Sequence, residues 1–211
     1  MEILCLILFF LCLYAFGKKS EQEFKLDVKL SDLHTMSNLM QQAANISDQA
    51  KQQEFLSDLG ALMRYGFEVQ KDGFSNVERE LFHCRELLRA YRLSSRHGCH
   101  LQVDVAPEYH RVKIPGLSLI CLLENALQHG VKHGQSAEIR LHIHETRNRK
   151  LTFAFSGYQL PEAKALERAP KGHGLFFLKK RLEYCYCMHN RHQDQKRLFL
   201  KQEQLIMQIP V

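Results

Sequence analysis

This 211-residue sequence predicts an α/β fold with a helical first half, and three observations predict it. Apolar residues recur at spacings of three and four from Leu26 to Tyr91, the period of an amphipathic helix. Beyond Gly98 the period falls to two at Leu101-Val103-Val105, Ile139-Leu141-Ile143 and Leu151-Phe153-Phe155. Two helical stretches, "GLSLICLLENALQHG" and "GHGLFFLKKRL", are interleaved with those strands, so the second half combines a sheet with helices laid on it. With 45% hydrophobic residues the chain is long enough to bury one or two cores.

In chain order, the first element is an apolar run from Ile3 to Phe16, followed directly by Gly17, Lys18 and Lys19. Its 14 residues fall short of the roughly 20 that span a bilayer. A secretory signal would begin with a positive charge, and Glu2 stands there instead. Lysines after the run favour a membrane anchor over residues 1–19 whose C-terminal side stays in the cytoplasm, with a cleaved signal or a fragment of a larger membrane region as alternatives.

Leu26, Leu30, Leu33, Met36 and Met40 predict a first helix. Phe55, Leu56, Leu59, Leu62 and Met63 predict a second, ended by Gly66 and the Asp72-Gly73 turn. Ser75 with Glu78 reads as a capping box opening a third helix through Val77, Leu81, Cys84, Leu88 and Tyr91. Apolar stripes on the first two helices point to a homodimer or to helix pairing within one chain. Pro115 opens the "GLSLICLLENALQHG" helix, a loop with Pro161 and Pro170 runs from Gly157 to Gly172, and "RLFLK" with "QLIMQIPV" closes the chain as a hairpin.

Lys and Arg number 29 against 23 Asp and Glu, a net charge of +6 without long basic runs. That surplus suits an anionic ligand or a membrane surface, and no nucleic-acid partner is expected. Seven scattered cysteines form no framework of paired spacings, which favours a reduced, cytoplasmic body. Cys185, Cys187, His189 and His192 have the composition of a zinc set, yet Cys185 continues the apolar face of Leu175, Leu178 and Leu182 and reads as core. No nucleophile stands in a strained Gly-x-Ser-x-Gly elbow, so a hydrolase is not indicated.

"LLENALQHG" carries the chemistry. On a helix Asn125 and His129 share a face and Glu124 and Gln128 form the neighbouring row, ringed by Leu119, Leu122, Leu123, Ala126 and Leu127. One reading is a solvated face ending at His-Gly. The other is a magnesium and phosphate site, because a carboxamide oxygen is a hard ligand and Mg²⁺ takes only one or two protein oxygens beside phosphate and water. "KGHGL" places Gly172 and Gly174 just before a helix, where backbone N–H groups can meet phosphates.

Together these stretches resemble the N box and second glycine box of LytS-type sensor histidine kinases, whose ATPase domain is of the Bergerat (GHKL) type. "DLHTMSNLM" is similar to their phosphoacceptor box, and "LMRYGFE", "ERELFHCRELLRAYRL", "KIPGLSLICLLENA" and "IMQIPV" fall in the same order, over roughly residues 24–211. After the membrane-anchor segment (1–19), the resemblance implies a helical dimerisation and phosphoacceptor region (20–95) and a Bergerat-type α/β sandwich (96–211). It implies autophosphorylation of His34 by ATP and transfer to an aspartate of a response regulator, with imidazole as the nucleophile. In that scheme Asn125 holds Mg²⁺, Glu124 acts near the metal, and Asn38 completes the catalytic set beside His34. Gln128, His129 and Ser156 line the nucleotide, and Gly172, Gly174 and Leu175 close over it. Arg181 also matches the family pattern, its plainer role being a surface charge or a helix-end ion pair.

The sequence departs from the family at several points. Leu33, Thr35 and Ser37 alter the surroundings of His34, Gln128 stands where a basic residue is common, and Phe177 replaces a usual Asn. In the first glycine box Ser156 replaces an acidic or amide residue and Tyr158 stands where glycine is expected. A hydroxyl still accepts a hydrogen bond. Two function classes follow: an active histidine kinase, and a degenerate pseudokinase that acts as a dimerisation and interaction module.

Overall fold

The computed structural model describes residues 46–94, 98–130, 137–146, 150–158, 174–187, 198–201 and 204–210. The 1–19 segment, the helix expected over Leu26–Met40, His34, Asn38 and Gly172 lie outside the described residues. Among the described residues no helix is long and apolar enough to cross a membrane.

Helix α1, Gln49–Asp72, starts where Asp48 caps it, its Oδ1 accepting from the N–H groups of Ala50 (3.0 Å) and Lys51 (3.3 Å). It ends at Gly73, whose φ of 73° is the left-handed conformation that terminates helices and whose N–H bonds the Val69 carbonyl at 2.7 Å. Gly66 does not end the helix, contrary to the sequence expectation. A mid-helix glycine costs only about 1 kcal/mol, and the buried Tyr65 and Val69 on either side hold the turn.

Strand β1, Phe74–Asn76, pairs antiparallel with β3, Lys113–Pro115, with Ser75 opposite Ile114. Two sequence expectations change here. The side-chain cap of helix α2, Val77–Ser94, is Asn76, whose Oδ1 accepts from the Arg79 N–H at 2.8 Å, so Ser75 is a strand residue. Pro115 likewise closes a strand, and the next helix opens at Ser118. The first α2 N–H groups are met by distant backbone, Val77 by the Val112 carbonyl and Glu78 by that of His110.

Helices α1 and α2 run antiparallel, held by Asp58–Arg89, Glu68–Arg79 and Tyr65–Glu80. Asp58 is buried, and Arg89 Nε donates to it at 2.7 Å while remaining solvent-exposed.

Strands β2 (Cys99–Val105), β4 (Ala137–Thr146), β5 (Lys150–Ser156), β6 (Leu198–Lys201) and β7 (Gln204–Pro210) form a five-stranded sheet in the order β2-β4-β5-β7-β6. The β2–β4 pair is parallel and the other pairs are antiparallel, so the expected closing hairpin is β6–β7. Helix α3 is Ser118–Asn125 and helix α4 is Gly174–Cys187, and the two pack against each other. One buried cluster joins Ile139, Leu141, Phe153, Phe155 and Met207 of the sheet to Leu119, Leu122 and Leu123 of α3 and Leu178 and Leu182 of α4. Phe55, Leu59 and Leu62 of α1 belong to that same cluster. Alternation in the sequence predicts a half-buried β5, but Thr152 and Ala154 are buried as fully as Leu151 and Phe153 because β5 is the middle strand of the five.

On the opposite sheet face His142 pairs with Asp104 at 2.7 Å, and its ring stacks on His144 with centroids 4.8 Å apart. His144 Nδ1 is buried without a hydrogen-bond partner among the described residues. Burial and the neighbouring His142 hold the His144 imidazole below the ordinary 6.5. A depressed folded-state value means that the unfolded chain takes up the proton first. Stability contributed by neutral His144 is therefore complete above pH 6.5 and is lost as pH falls through its lower folded value. Urea unfolding across that window should show the decline, and His144→Phe should flatten it.

Candidate functional site

Helix α3 is eight residues long, and it passes at Asn125 into a π-helical turn over Ala126–Gly130. The sequence reads as one continuous α-helix there, so the widened turn departs from expectation. Such turns concentrate at functional sites because they re-aim side chains that regular spacing would align. The Ala126 N–H shares itself between the carbonyls of Leu122 and Leu123, as N–H groups at a helix end commonly do.

Glu124 is buried and accepts a 2.8 Å hydrogen bond from Gln128 Nε2 on the next turn. Asn125 is half-buried and Gln128 exposed, so the polar row runs from the interior to the surface. The His129 backbone belongs to the π turn, and its side chain lies outside the described residues. A carboxylate and a carboxamide on adjacent residues suit a hard cation such as Mg²⁺.

Strand β5 ends at half-buried Ser156, opposite Arg140 of β4. The chain then bends at Gly157, with φ of 84°, and a Cβ there would lie 2.0 Å from the Glu138 carbonyl oxygen. The sequence resemblance leads to glycine being expected at position 158. The bend lies one residue earlier, and Tyr158 packs against the core with its hydroxyl buried and unpartnered among the described residues. Burial alone pushes that phenol up, so it stays protonated.

Gly174 is the first residue of α4. Leu175 sends its side chain into the core, which leaves its backbone N–H as its means of meeting a ligand. Cys185 is buried, as expected of a core residue, and burial pushes its thiol up. Arg181 is half-buried, and its Nη1 donates to the Gly116 carbonyl just ahead of α3.

Sequence reasoning missed Glu80. Its side chain is fully buried, and it accepts from the N–H groups of Leu117 (2.5 Å) and Leu119 (3.0 Å) and from the Tyr65 hydroxyl. Leu117, in a left-handed conformation with φ of 62°, gives α3 no side-chain cap of its own, so Glu80 caps that helix from α2. Burial pushes the carboxyl up, while Tyr65, the two N–H groups and the Arg181 charge pull it back towards the ionised form. The missed signal was a glutamate within the apolar stripe of Val77, Leu81 and Cys84.

No protein-family model matches the chain and no curated protein matches it. Among solved structures, it is similar to the histidine kinase domain of the Erythrobacter litoralis EL346 blue-light activated histidine kinase, at 15% identity over 91% of this chain and 94% of that one, with a TM-score of 0.42. A longer structure of the same kinase matches at 14% identity over 85% of this chain and 62% of its own length, with a TM-score of 0.43. The Acinetobacter baumannii histidine kinase AdeS matches at 12% identity over 82% of this chain and 92% of that one, with a TM-score of 0.42.

Proposed function

We propose that the chain is a histidine-kinase-type protein that binds ATP with Mg²⁺ beside the C-terminal end of α3 and transfers the γ-phosphoryl group to His34. The observation that carries this reading is the pairing of half-buried Asn125 with buried, hydrogen-bonded Glu124 where α3 widens into a π turn. The donor set fits Mg²⁺, with Asn125 as the residue that would hold it. When bound, the cation would offset the negative charge of the triphosphate.

The imidazole nitrogen of His34 attacks the γ-phosphorus, a P–N bond forms as the bond to the β,γ-bridging oxygen breaks, and ADP leaves. Glu124 takes up the proton released from the ring, and Gln128 orients that carboxylate. Asn38, four residues beyond His34, positions the acceptor. His129, Ser156 and the backbone N–H groups of Gly172, Gly174 and Leu175 hold the nucleotide. The phosphoryl group then passes to an aspartate of a response regulator. Residues 1–19 anchor the chain at the cytoplasmic membrane with the remainder in the cytoplasm.

A homodimer is supported by a stripe on α1. Leu56, Gly60, Met63 and Phe67 follow one another at spacings of four, three and four, and Leu56 and Phe67 are 49% and 61% exposed.

Ser156 at the end of β5 favours the second reading, a pseudokinase that keeps the fold without catalysis, since a hydroxyl replaces the carboxylate or amide expected to read the base. Full-length protein given γ-labelled ATP and Mg²⁺ decides between them. The kinase reading expects acid-labile label that disappears in His34→Ala, whereas no label and no heat of ATP binding leaves the interaction module. Gln128→Lys should tighten ATP binding about tenfold, the effect of adding one charge-assisted hydrogen bond next to a phosphate. Titration calorimetry of the two proteins measures that difference.

A further inference from the structure

The end of α1 grips the start of α3 in three ways. Tyr65 donates its hydroxyl to Glu80, which holds the Leu117 and Leu119 N–H groups. The Gly73 carbonyl accepts from the Gly116 N–H at 3.1 Å. Val69 packs so closely on Gly116 that a Cβ there would fall 2.0 Å from Val69 Cγ1. From the other side, Arg181 of α4 donates to the Gly116 carbonyl. Residues 116–119 are thus a junction to which α1, α2 and α4 are all fastened.

We propose that Tyr65 and Glu80 are positioning residues that transmit the placement of α1 to Asn125 and so hold the nucleotide site in its binding geometry. The proposal rests on the nucleotide reading of α3 given above. From Leu119 to Asn125 is about 9 Å of regular helix, with no glycine or proline to absorb a shift. A displacement at the junction therefore reaches Asn125 as a rigid-body movement. Arg181 carries the same displacement into α4, whose first residue is Gly174. Tyr65 suits the task because its ring is held by α2, stacked on His83 at 3.9 Å and 5.0 Å from the Arg79 guanidinium. Its hydroxyl cannot move without moving the carboxylate that caps α3.

The test is Tyr65→Phe in the full chain, which deletes one hydroxyl and keeps the packed ring. Ser57→Ala, exposed on the same helix and outside the stripe of Leu56, Gly60, Met63 and Phe67, is the control. Calorimetry with ATP and Mg²⁺ should show affinity for Tyr65→Phe lowered roughly fivefold or more, the scale of site-to-site coupling. Amide exchange should accelerate from Leu117 through Asn125, and Ser57→Ala should leave both measurements at the starting values. Wild-type affinity together with wild-type exchange in Tyr65→Phe overturns the relay, because loss of a merely structural bond would lower the melting point and leave binding well below it intact. If the unsubstituted chain binds no ATP, the nucleotide reading fails by itself, and the relay is then judged on exchange. Acceleration reaching Asn125 sustains it, and a change confined to α1 overturns it.

Discussion

Replacing Glu80 with alanine is expected to destabilise the fold by about 3–5 kcal/mol, the loss seen when one partner of a buried charge network is removed. For a chain of this length that corresponds to a melting point lower by roughly 10 °C. The reason lies in what is left behind. The Tyr65 hydroxyl and the Leu117 and Leu119 N–H groups lose their acceptor in a place where no water reaches, and each unmade bond costs about 1–3 kcal/mol. The Arg181 charge loses its compensating carboxylate as well. Glu80→Gln should lie between the two. It keeps the volume and one acceptor oxygen, but it turns an NH₂ group towards a backbone N–H. Denaturant unfolding of the three proteins, with slopes compared so that only the midpoint is read as stability, gives the order wild type, Gln, Ala. A Glu80→Ala midpoint within a degree or two of wild type is incompatible with this account of the α3 cap.

Much of the architecture was legible because it depends on local period. Strands β2 and β4 and the β6–β7 hairpin stand where alternation indicated, and α2 covers its expected apolar stripe. Elements made by distant partners were not legible. β1 and β3 are three residues each, too short for any period, and each exists only because the other is beside it. Phe74 and Pro115 are therefore strand residues in a stretch that reads locally as a turn, a cap and a helix start. The same reason hid the role of Glu80, whose partners Leu117 and Leu119 lie 37 and 39 residues away. Of the candidate site, the contact of Glu124 with Gln128 could be read in advance, because helical spacing of four residues brings them onto one row. The widening into a π turn after Asn125 could not.

Alanine at Gly157 should be far more damaging than alanine at Gly73, and the surroundings of the two glycines explain why. Both Gly73 and Gly157 have positive φ, 73° and 84°, a conformation that costs a side-chain-bearing residue about 1–3 kcal/mol. Around Gly73 no atom lies within 4 Å of the place an added methyl would take, so Gly73→Ala should incur that conformational penalty alone. At Gly157 the methyl meets the Glu138 carbonyl oxygen at 2.0 Å and the Glu138 carbonyl carbon at 3.2 Å. That oxygen belongs to β4, whose backbone is fixed between β2 and β5, so it cannot yield as a flexible side chain would. A steric term of about 1–3 kcal/mol therefore adds to the conformational one, for a total of roughly 3 kcal/mol or more. The strand end must lift to relieve the clash, which breaks the Arg140–Ser156 pairing and moves Ser156 away from its place at the end of β5. Thermal unfolding should rank Gly157→Ala well below Gly73→Ala, and amide exchange should accelerate at Arg140 and Ser156 in the former alone. Equal melting points for the two variants would mean that β4 and β5 can part at their ends without loss, and that Ser156 is not held where the sheet puts it.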